Sequence, residues 1–372
     1  MPNKLLCCLS WILLAGIVLP TADAQTRPTP KSKASSKGGG SRAELDALID
    51  KLGKTPPDWF KSTPLNPPQS LDLTWPMGAP PGGWNNQKNV GQYLWDVVNP
   101  NPGRWNEGVK LMHHLVTLHK DDAEKRERNM LTLARMYHNL LEDYGRSAFW
   151  FRAAGVEKDP VEYAQSAVIL AECYWRLGFD DEAQQLLQKI PPNMSHAKLL
   201  GDMGETDKAI QMAMEDEDSQ GYTLLVAGDA CRQAGRYDDA LKYYQRVLAI
   251  QVPAQNPPGR LLKNRNRADA NVAAIKSFEL SDPSRVPNGT YKSSSLGYEG
   301  SVEVAVTVKA GKIESVNITQ HREKQFYSAM TDTPRKIVSK QSVKGVDAPS
   351  NATITSAAIN NATAKALAAA QK

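Results

Sequence analysis

The spacing of apolar and polar positions along this chain changes twice. Between residues 106 and 280, apolar side chains recur every three or four positions, the spacing of amphipathic helices. From residue 301 the interval falls to two. Val302, Val304, Val306 and Val308 alternate with Ser301, Glu303, Ala305 and Thr307, which predicts a half-buried strand. Ala310-Gly311 provides a tight turn, and Val316 and Ile318 continue on a second strand, so the unit reads as a hairpin. Residues 331–345 are polar and read as a loop or short helix. Helical spacing returns from Thr355 to Ala370, with Thr355 as the N-cap. Upstream, Glu44 to Leu52 supports one short helix. Residues 55–105 then hold ten prolines and five of the eight tryptophans. So many prolines forbid long helices. They predict an extended segment pinned by Trp59, Trp75, Trp84, Trp95 and Trp105 onto the helices behind it.

Within the helical region one unit recurs. Its fullest form is Leu224-x-x-Ala227-Gly228-x-x-Cys231, then Gly235-Arg236-Tyr237, then Ala240-x-x-x-Tyr244-x-x-Val247. This resembles the tetratricopeptide repeat, a helix–turn–helix of about 34 residues. Gly228 and Ala240 allow the two helices to cross closely, while Leu224, Tyr244 and Val247 fill the core. A second unit runs through Leu170, Ala171, Tyr174, Gly178, Ala183, Leu187 and Ile190. A looser one contains Leu133, Ala134, Tyr137 and Ala148, and a shortened one centres on Gly204 and Ala209. Arg267 to Leu280 reads as a final amphipathic helix capping the solenoid. Cys173 and Cys231 fall inside first helices of repeats, where core packing accounts for them.

The N-terminus has the form of a secretory signal: Lys4, an apolar run from Leu5 to Leu19, and Ala22-Asp23-Ala24 as a small-x-small cleavage site before Gln25. An uncleaved anchor is the alternative. Gln25 to Arg42 is polar, with five basic residues, a Gly-Gly-Gly run and no acid, and reads as a disordered linker. The expected location is therefore exported, periplasmic or secreted, with membrane association through a partner or an uncleaved signal. The whole chain has 372 residues and a net charge of +5, too small to suggest nucleic acid. There is no Cys-x-x-Cys-His, Walker loop, Gly-x-Ser-x-Gly or Rossmann glycine pattern. His113, His114 and His119 lack the i, i+4 pairing of helical metal ligands.

The C-terminal region carries the chemistry. A run of small and hydroxyl residues, Asp347-Ala348-Pro349-Ser350-Asn351-Ala352-Thr353-Ile354-Thr355-Ser356, leads into the last helix. A hydroxyl at such a junction sits beside outward-pointing helix N–H groups that favour phosphate. Ala352 leaves room beside it, and Ser350, Thr355 and Ser356 can donate hydrogen bonds to phosphate oxygens. Gly297 and Gly300 flank Tyr298 in a loop whose backbone can approach a flat ring, with Tyr298 stacking on it. From Arg285 onward there are 12 basic and 6 acidic residues, a balance that suits a phosphate-bearing cofactor or an acidic redox partner.

On these anchors, together with Asn288-Gly289-Thr290-Tyr291 and His321-Arg322-Glu323, residues 288–368 resemble an FMN-binding domain. The likeness is to the small flavin-carrying subunits of the Rnf and sodium-translocating NADH:quinone reductase complexes. In that family the pattern is Asp, two residues, Ser-Gly-Ala-Thr, any residue, Thr or Ser, then Ser. The family glycine is Asn351 here, and asparagine readily takes the positive φ that a glycine supplies.

The resemblance implies FMN held as a phosphoester on Thr353, placed there by a separate FAD:protein FMN transferase. The cofactor-binding residues it points to are Asp347, Ser350, Asn351, Ala352, Thr353, Ile354, Thr355, Ser356, Gly297, Tyr298, Gly300 and Glu323. It implies an electron carrier rather than a stand-alone enzyme, with a redox partner docked on the helical repeats. The alternative is an interaction scaffold whose small domain no longer carries flavin. The expected architecture is multidomain: signal (1–24), linker (25–43), Pro/Trp-rich segment (44–105), an α-helical tetratricopeptide-like solenoid (106–280), a linker (281–288), and a small α+β FMN-binding domain (289–372).

Overall fold

A computed structural model describes residues 40–80, 82–215, 218–323, 328–346 and 353–371. The signal-like stretch and nearly all of the basic linker lie outside the described residues. The first helix, α1 (Arg42–Lys54), starts two residues earlier than its apolar pattern suggests. A capping box sets that start: Ser41 Oγ accepts from the Glu44 N–H, and the Glu44 carboxylate accepts from the Ser41 N–H at 2.6 Å. The expected linker boundary at residue 43 is therefore too late. α1 also belongs to the helical body, because Leu45 and Ile49 share a core with Ala148, Phe151 and Tyr174.

The proline-rich stretch follows, holding only short helical pieces: a 3-10 turn (Asp58–Phe60), α2 (Val90–Tyr93), a π turn (Leu94–Val98) and another 3-10 turn (Pro102–Arg104). Leu71, Val90, Leu94 and Val98 pack on α3 (Trp105–Leu118) and α4 (Ala123–Asn139), as do Trp59 and Trp75. Trp84 and Trp95 do not pin the segment as expected, for they remain 68% and 38% exposed.

Helical hairpins follow: α4 with α5 (Tyr144–Ala153), α6 (Ala164–Arg176) with α7 (Asp180–Leu187), α8 (Met194–Asp202) with α9 (Thr206–Met214), and α10 (Tyr222–Gln233) with α11 (Tyr237–Ala249). In each, a residue with positive φ turns the chain: Glu142, Gly178, Gly204 and Gly235. The second helices each present a fully buried alanine at the repeat position, Ala148, Ala183, Ala209 and Ala240. The close crossing has a direct measure at Gly228, where a Cβ would stand 2.6 Å from the Tyr244 ring.

α12 (Gly259–Ser277) begins well before Arg267, the start that the apolar pattern suggests. The polar run Lys263-Asn264-Arg265-Asn266-Arg267 conceals its first turns, yet Asn264 is buried and donates to the Gln220 carbonyl at 2.9 Å. α12 does not end the solenoid with a polar outer face. It packs on α11 on one side and on the C-terminal helix on the other.

A 3-10 turn, Pro283–Arg285, leads from there into the sheet. Ser281 and Val286 are buried, and Val286 lies in a core that runs unbroken from Leu225 and Tyr244 to Val304 and Leu367. The expected linker at 281–288 is thus a packed joint.

The sheet has three antiparallel strands, not two: β1 (Gly289–Leu296), β2 (Ser301–Lys309) and β3 (Lys312–Gln320), with β2 central. Tyr291 pairs with Val306, and Val306 with Val316. Ala310 and Gly311 both have positive φ, as a tight hairpin turn requires. The polar stretch after β3 forms α13 (Ser328–Lys340), which carries Pro334 inside it.

The last helix, α14 (Thr353–Ala370), covers β1 and β2, meets α13, and lies against α12 on its far side. It is therefore buried nearly all round, which is why alanines fill it. The fold is an α-helical tetratricopeptide-like solenoid followed by a small α+β domain. Among the described residues no helix is long and apolar enough to cross a membrane.

Candidate functional site

Three pieces meet at the start of α14. Thr353 is the first residue of the helix, so Thr355 lies inside the first turn and is not the N-cap. The first N–H groups of any α-helix lack intrahelical partners and point outward along its axis. Asp347, Ser350, Asn351 and Ala352 lie outside the described residues, as does the Thr353 side chain.

Thr355 and Ser356 are each 1% exposed and face inward. Thr355 Oγ1 donates to Glu323 Oε2 at 2.5 Å, and Ser356 Oγ accepts from Thr333 Oγ1 of α13 at 3.0 Å. In this arrangement the Thr355 proton is already engaged by Glu323, and the Ser356 hydroxyl is turned toward α13. The first N–H groups of the same helix lack intrahelical partners. Ile354 is half-buried beside them.

The second piece is the loop between β1 and β2. Gly297 N–H donates to the Gly300 carbonyl at 2.6 Å, closing a tight turn that presents Tyr298 at 48% exposure. A Cβ on Gly297 would stand 2.6 Å from Glu323 Oε1 and 2.8 Å from Val302, so this position needs glycine. Gly300 packs against the aliphatic stem of Arg322.

The third piece is Glu323, at the end of the segment after β3. It is 3% exposed, and a buried carboxylate is costly unless hydrogen bonds satisfy it. It accepts from the Glu299 N–H at 2.9 Å and from Thr355. Glu323 therefore ties the Tyr298 loop to the first turn of α14. Gly297, Tyr298, Gly300, Glu323 and Thr355 come together around it, while Ser356 faces α13.

Sequence reasoning missed a group of polar residues behind the site. Arg232 of α10 donates to Asn361 Oδ1 of α14 at 2.8 Å and to Asn271 Oδ1 of α12 at 2.9 Å. Asn361 donates to Asn271 at 3.0 Å. Asp229 accepts from Tyr244 at 2.7 Å, from Arg267 at 3.2 Å and from Asn271 at 3.3 Å. This network fixes α14 to the last repeat. A small cleft beside it is lined by Arg232, Gln233, Val346, Ser356, Ala357 and Asn360. The signal that could have revealed it is Asn360-Asn361, a polar pair inside an alanine-rich helix.

The fit to a flavin rests on the glycine cradle under Tyr298, the half-exposed ring itself and the N-terminus of α14, whose first N–H groups have no intrahelical partner. When bound, FMN would supply the capacity to accept and release electrons; the chain's own residues would hold and orient it.

Comparison with known proteins agrees with this geometry. Residues 223–258, which hold α11 and all but the first residue of α10, match the tetratricopeptide repeat. An uncharacterized protein of Treponema pallidum (strain Nichols) is 30% identical over 109 residues, which is 29% of this chain and 30% of that protein. The chain thus spans under a third of the curated relative it matches. No solved structure matches. Residues 297–368 match the FMN-binding domain family, so the site at the start of α14 belongs to an FMN-binding domain carried behind tetratricopeptide-like repeats.

Proposed function

We propose that this protein is an exported electron carrier that holds FMN covalently, as a phosphoester on Thr353. The observation that carries the reading is the position of Thr353. It opens α14, in the helix turn that Glu323 joins to the Gly297–Gly300 loop. Attachment would proceed as a transfer from FAD. The Thr353 hydroxyl attacks the flavin-side phosphorus of the pyrophosphate, the phosphoanhydride breaks, AMP leaves, and the hydroxyl proton passes to a base of the FAD:protein FMN transferase. Outward N–H groups of the first helical turn would face the resulting phosphodiester. The tetratricopeptide repeat supports protein–protein interaction in general, and the proposal assigns to the helical repeats the docking of the redox partner. The signal-like N-terminus supports export to the periplasm or beyond.

The test is the intact mass of the full chain after co-expression with a FAD:protein FMN transferase. The expected result is a gain equal to one FMN less water, mapped to the peptide that holds Thr353 and absent from Thr353→Val. A wild-type protein without that gain, and colourless after purification, would overturn the reading and favour the scaffold.

A further inference from the structure

A cavity away from the flavin site opens on the N-terminal side of the helical body. It has a volume of about 310 Å³ and lies between the Pro/Trp-rich segment and α4. Leu94, Met136 and Leu140 give it an apolar floor. Trp75 and Trp95 add indole surface, and Asn99, Asn139 and Arg135 add polar groups.

The wall is built with unusual backbone. Trp75 has a φ of +38°, a conformation that bulky residues rarely adopt and that surrounding structure must enforce. Arg128 enforces it, stacking its guanidinium 3.9 Å from the ring centroid and donating to the Trp75 and Pro76 carbonyls. Leu94 and Trp95 stand on the π turn, a helix form that recurs at functional sites.

Arg135 sets the charge of the groove. Five other arginines, Arg42, Arg146, Arg152, Arg236 and Arg267, each meet a carboxylate. Arg135 is surface-exposed, donates to Ser166 Oγ at 3.0 Å, and meets no acid among the described residues. A groove with indole walls and one unmatched guanidinium is complementary to an aromatic group beside a carboxylate.

Its size and surroundings decide what kind of molecule brings that group. The volume is at the lower limit for a small-molecule site and fits a single side chain better than a cofactor. The groove is open, and the same segment exposes Met77 at 44% and Trp84 at 68%, apolar surface that a free small molecule would leave bare. Trp and Arg are also the residue types that dominate binding at protein interfaces. The chain's own linker, residues 25–42, is basic and holds no acid, so it has the wrong charge to occupy the groove.

We propose that this groove binds a peptide segment of a partner protein in which an aromatic side chain is flanked by carboxylates. The ring lies against Trp75 and Trp95 and a carboxylate meets Arg135. The proposal deepens the reading that the helical part docks a protein partner, and it rests on that reading. Its test involves no flavin, so its failure and that of the Thr353 assignment are separable.

The probe is Ac-Gly-Asp-Phe-Asp-Gly-NH2 carrying 4-fluorophenylalanine, followed by 19F NMR during titration of the full-length protein. Saturable broadening of the fluorine signal is expected, with at least tenfold weaker binding in Arg135→Glu and in Trp95→Ala. The same peptide with lysines in place of its aspartates is expected not to bind. Arg135→Gln serves if Arg135→Glu fails to fold, judged by circular dichroism melting. Absence of binding, binding unaffected by the Arg135 and Trp95 substitutions, or equal binding of the lysine peptide would overturn the proposal. Phenylacetate binding as tightly as the peptide would also overturn it, by assigning the groove to a small molecule.

Discussion

Both ends of the repeat array carry something that is not a repeat, and the two attachments differ. At the C-terminal end, α12 and α14 share one continuous apolar core with the sheet. The polar groups at that joint, half-buried Asp229 and Arg232 and buried Asn271 and Asn361, bond to one another across three helices. At the N-terminal end, the Pro/Trp-rich segment is pressed onto α3 and α4, but it leaves a cavity, a positive-φ tryptophan and an arginine without an acid. The first attachment is closed: removing any member leaves a buried partner unsatisfied. The second is open, with groups whose bonding capacity points outward. Closure suits a joint that must hold a cofactor domain at fixed orientation, and openness suits a surface that receives something.

Breaking the closed joint should have the largest effect. Arg232→Ala leaves the buried Asn361 oxygen without a donor and removes one of two donors to Asn271, and an unsatisfied buried polar group costs about 1–3 kcal/mol. A loss of roughly 2–3 kcal/mol is expected, read as a lower urea midpoint for the repeats and the C-terminal domain together. If only one of them were to shift, the shared core would not be a single cooperative unit.

The open end should respond to pH. The His113 ring sits between Phe60 and Trp150, bonded to Tyr137 at 2.8 Å. Burial, aided by the nearby Arg146 charge, holds its pKa down at about 4, against an ordinary 6.5. Because the folded pKa lies below the unfolded one, the unfolded chain takes up the proton first as pH falls. The neutral ring's contribution is therefore complete above pH 6.5 and is lost progressively toward pH 4. About 2 kcal/mol should disappear across that window, allowing for the ring's partial exposure. Thermal unfolding of wild type and His113→Gln at pH 7 and pH 4.5 checks this, since the advantage of the wild type should shrink at the lower pH.

The smallest effect on stability should come from the groove itself. Trp95 is 38% exposed and lines an open cavity, so Trp95→Ala is expected to cost about 1 kcal/mol or less, while weakening peptide binding at least tenfold. A loss comparable to that of Arg232→Ala would make Trp95 a packing residue and erase the contrast between the two ends.

The elements that were legible in the sequence are those whose burial is apolar. The valines of β2 and the alanines of the repeats announced themselves by period. β1 did not, because its inward residues are Gly289, Tyr291, Ser293 and Ser295. Small and polar residues are buried there because the alanine face of α14 comes close enough to cover them. α13 was legible only as a loop or short helix, for a related reason: Thr333 is fully buried, but its partner is the Ser356 hydroxyl and not an apolar neighbour. In the site, a glycine–tyrosine loop and a hydroxyl-rich helix start could be read directly. The inward turn of Thr355 could not, since it depends on Glu323, a carboxylate that 32 positions separate from it in the chain. The Arg232 network was invisible for the same reason, as its members come from three helices far apart in sequence.

The place of α14 in chain order has a consequence for biosynthesis. A ribosome delivers β1, β2 and β3 before the helix that covers them, so the valine face of the sheet has no lid until residues 353–370 leave the exit tunnel. Until then the apolar face is bare, and three strands with an uncovered side are prone to edge-to-edge association. A premature stop between Gln320 and Thr353 would leave that face permanently uncovered and strip α12 of its outer neighbour, turning a local truncation into an aggregation hazard for the whole repeat array.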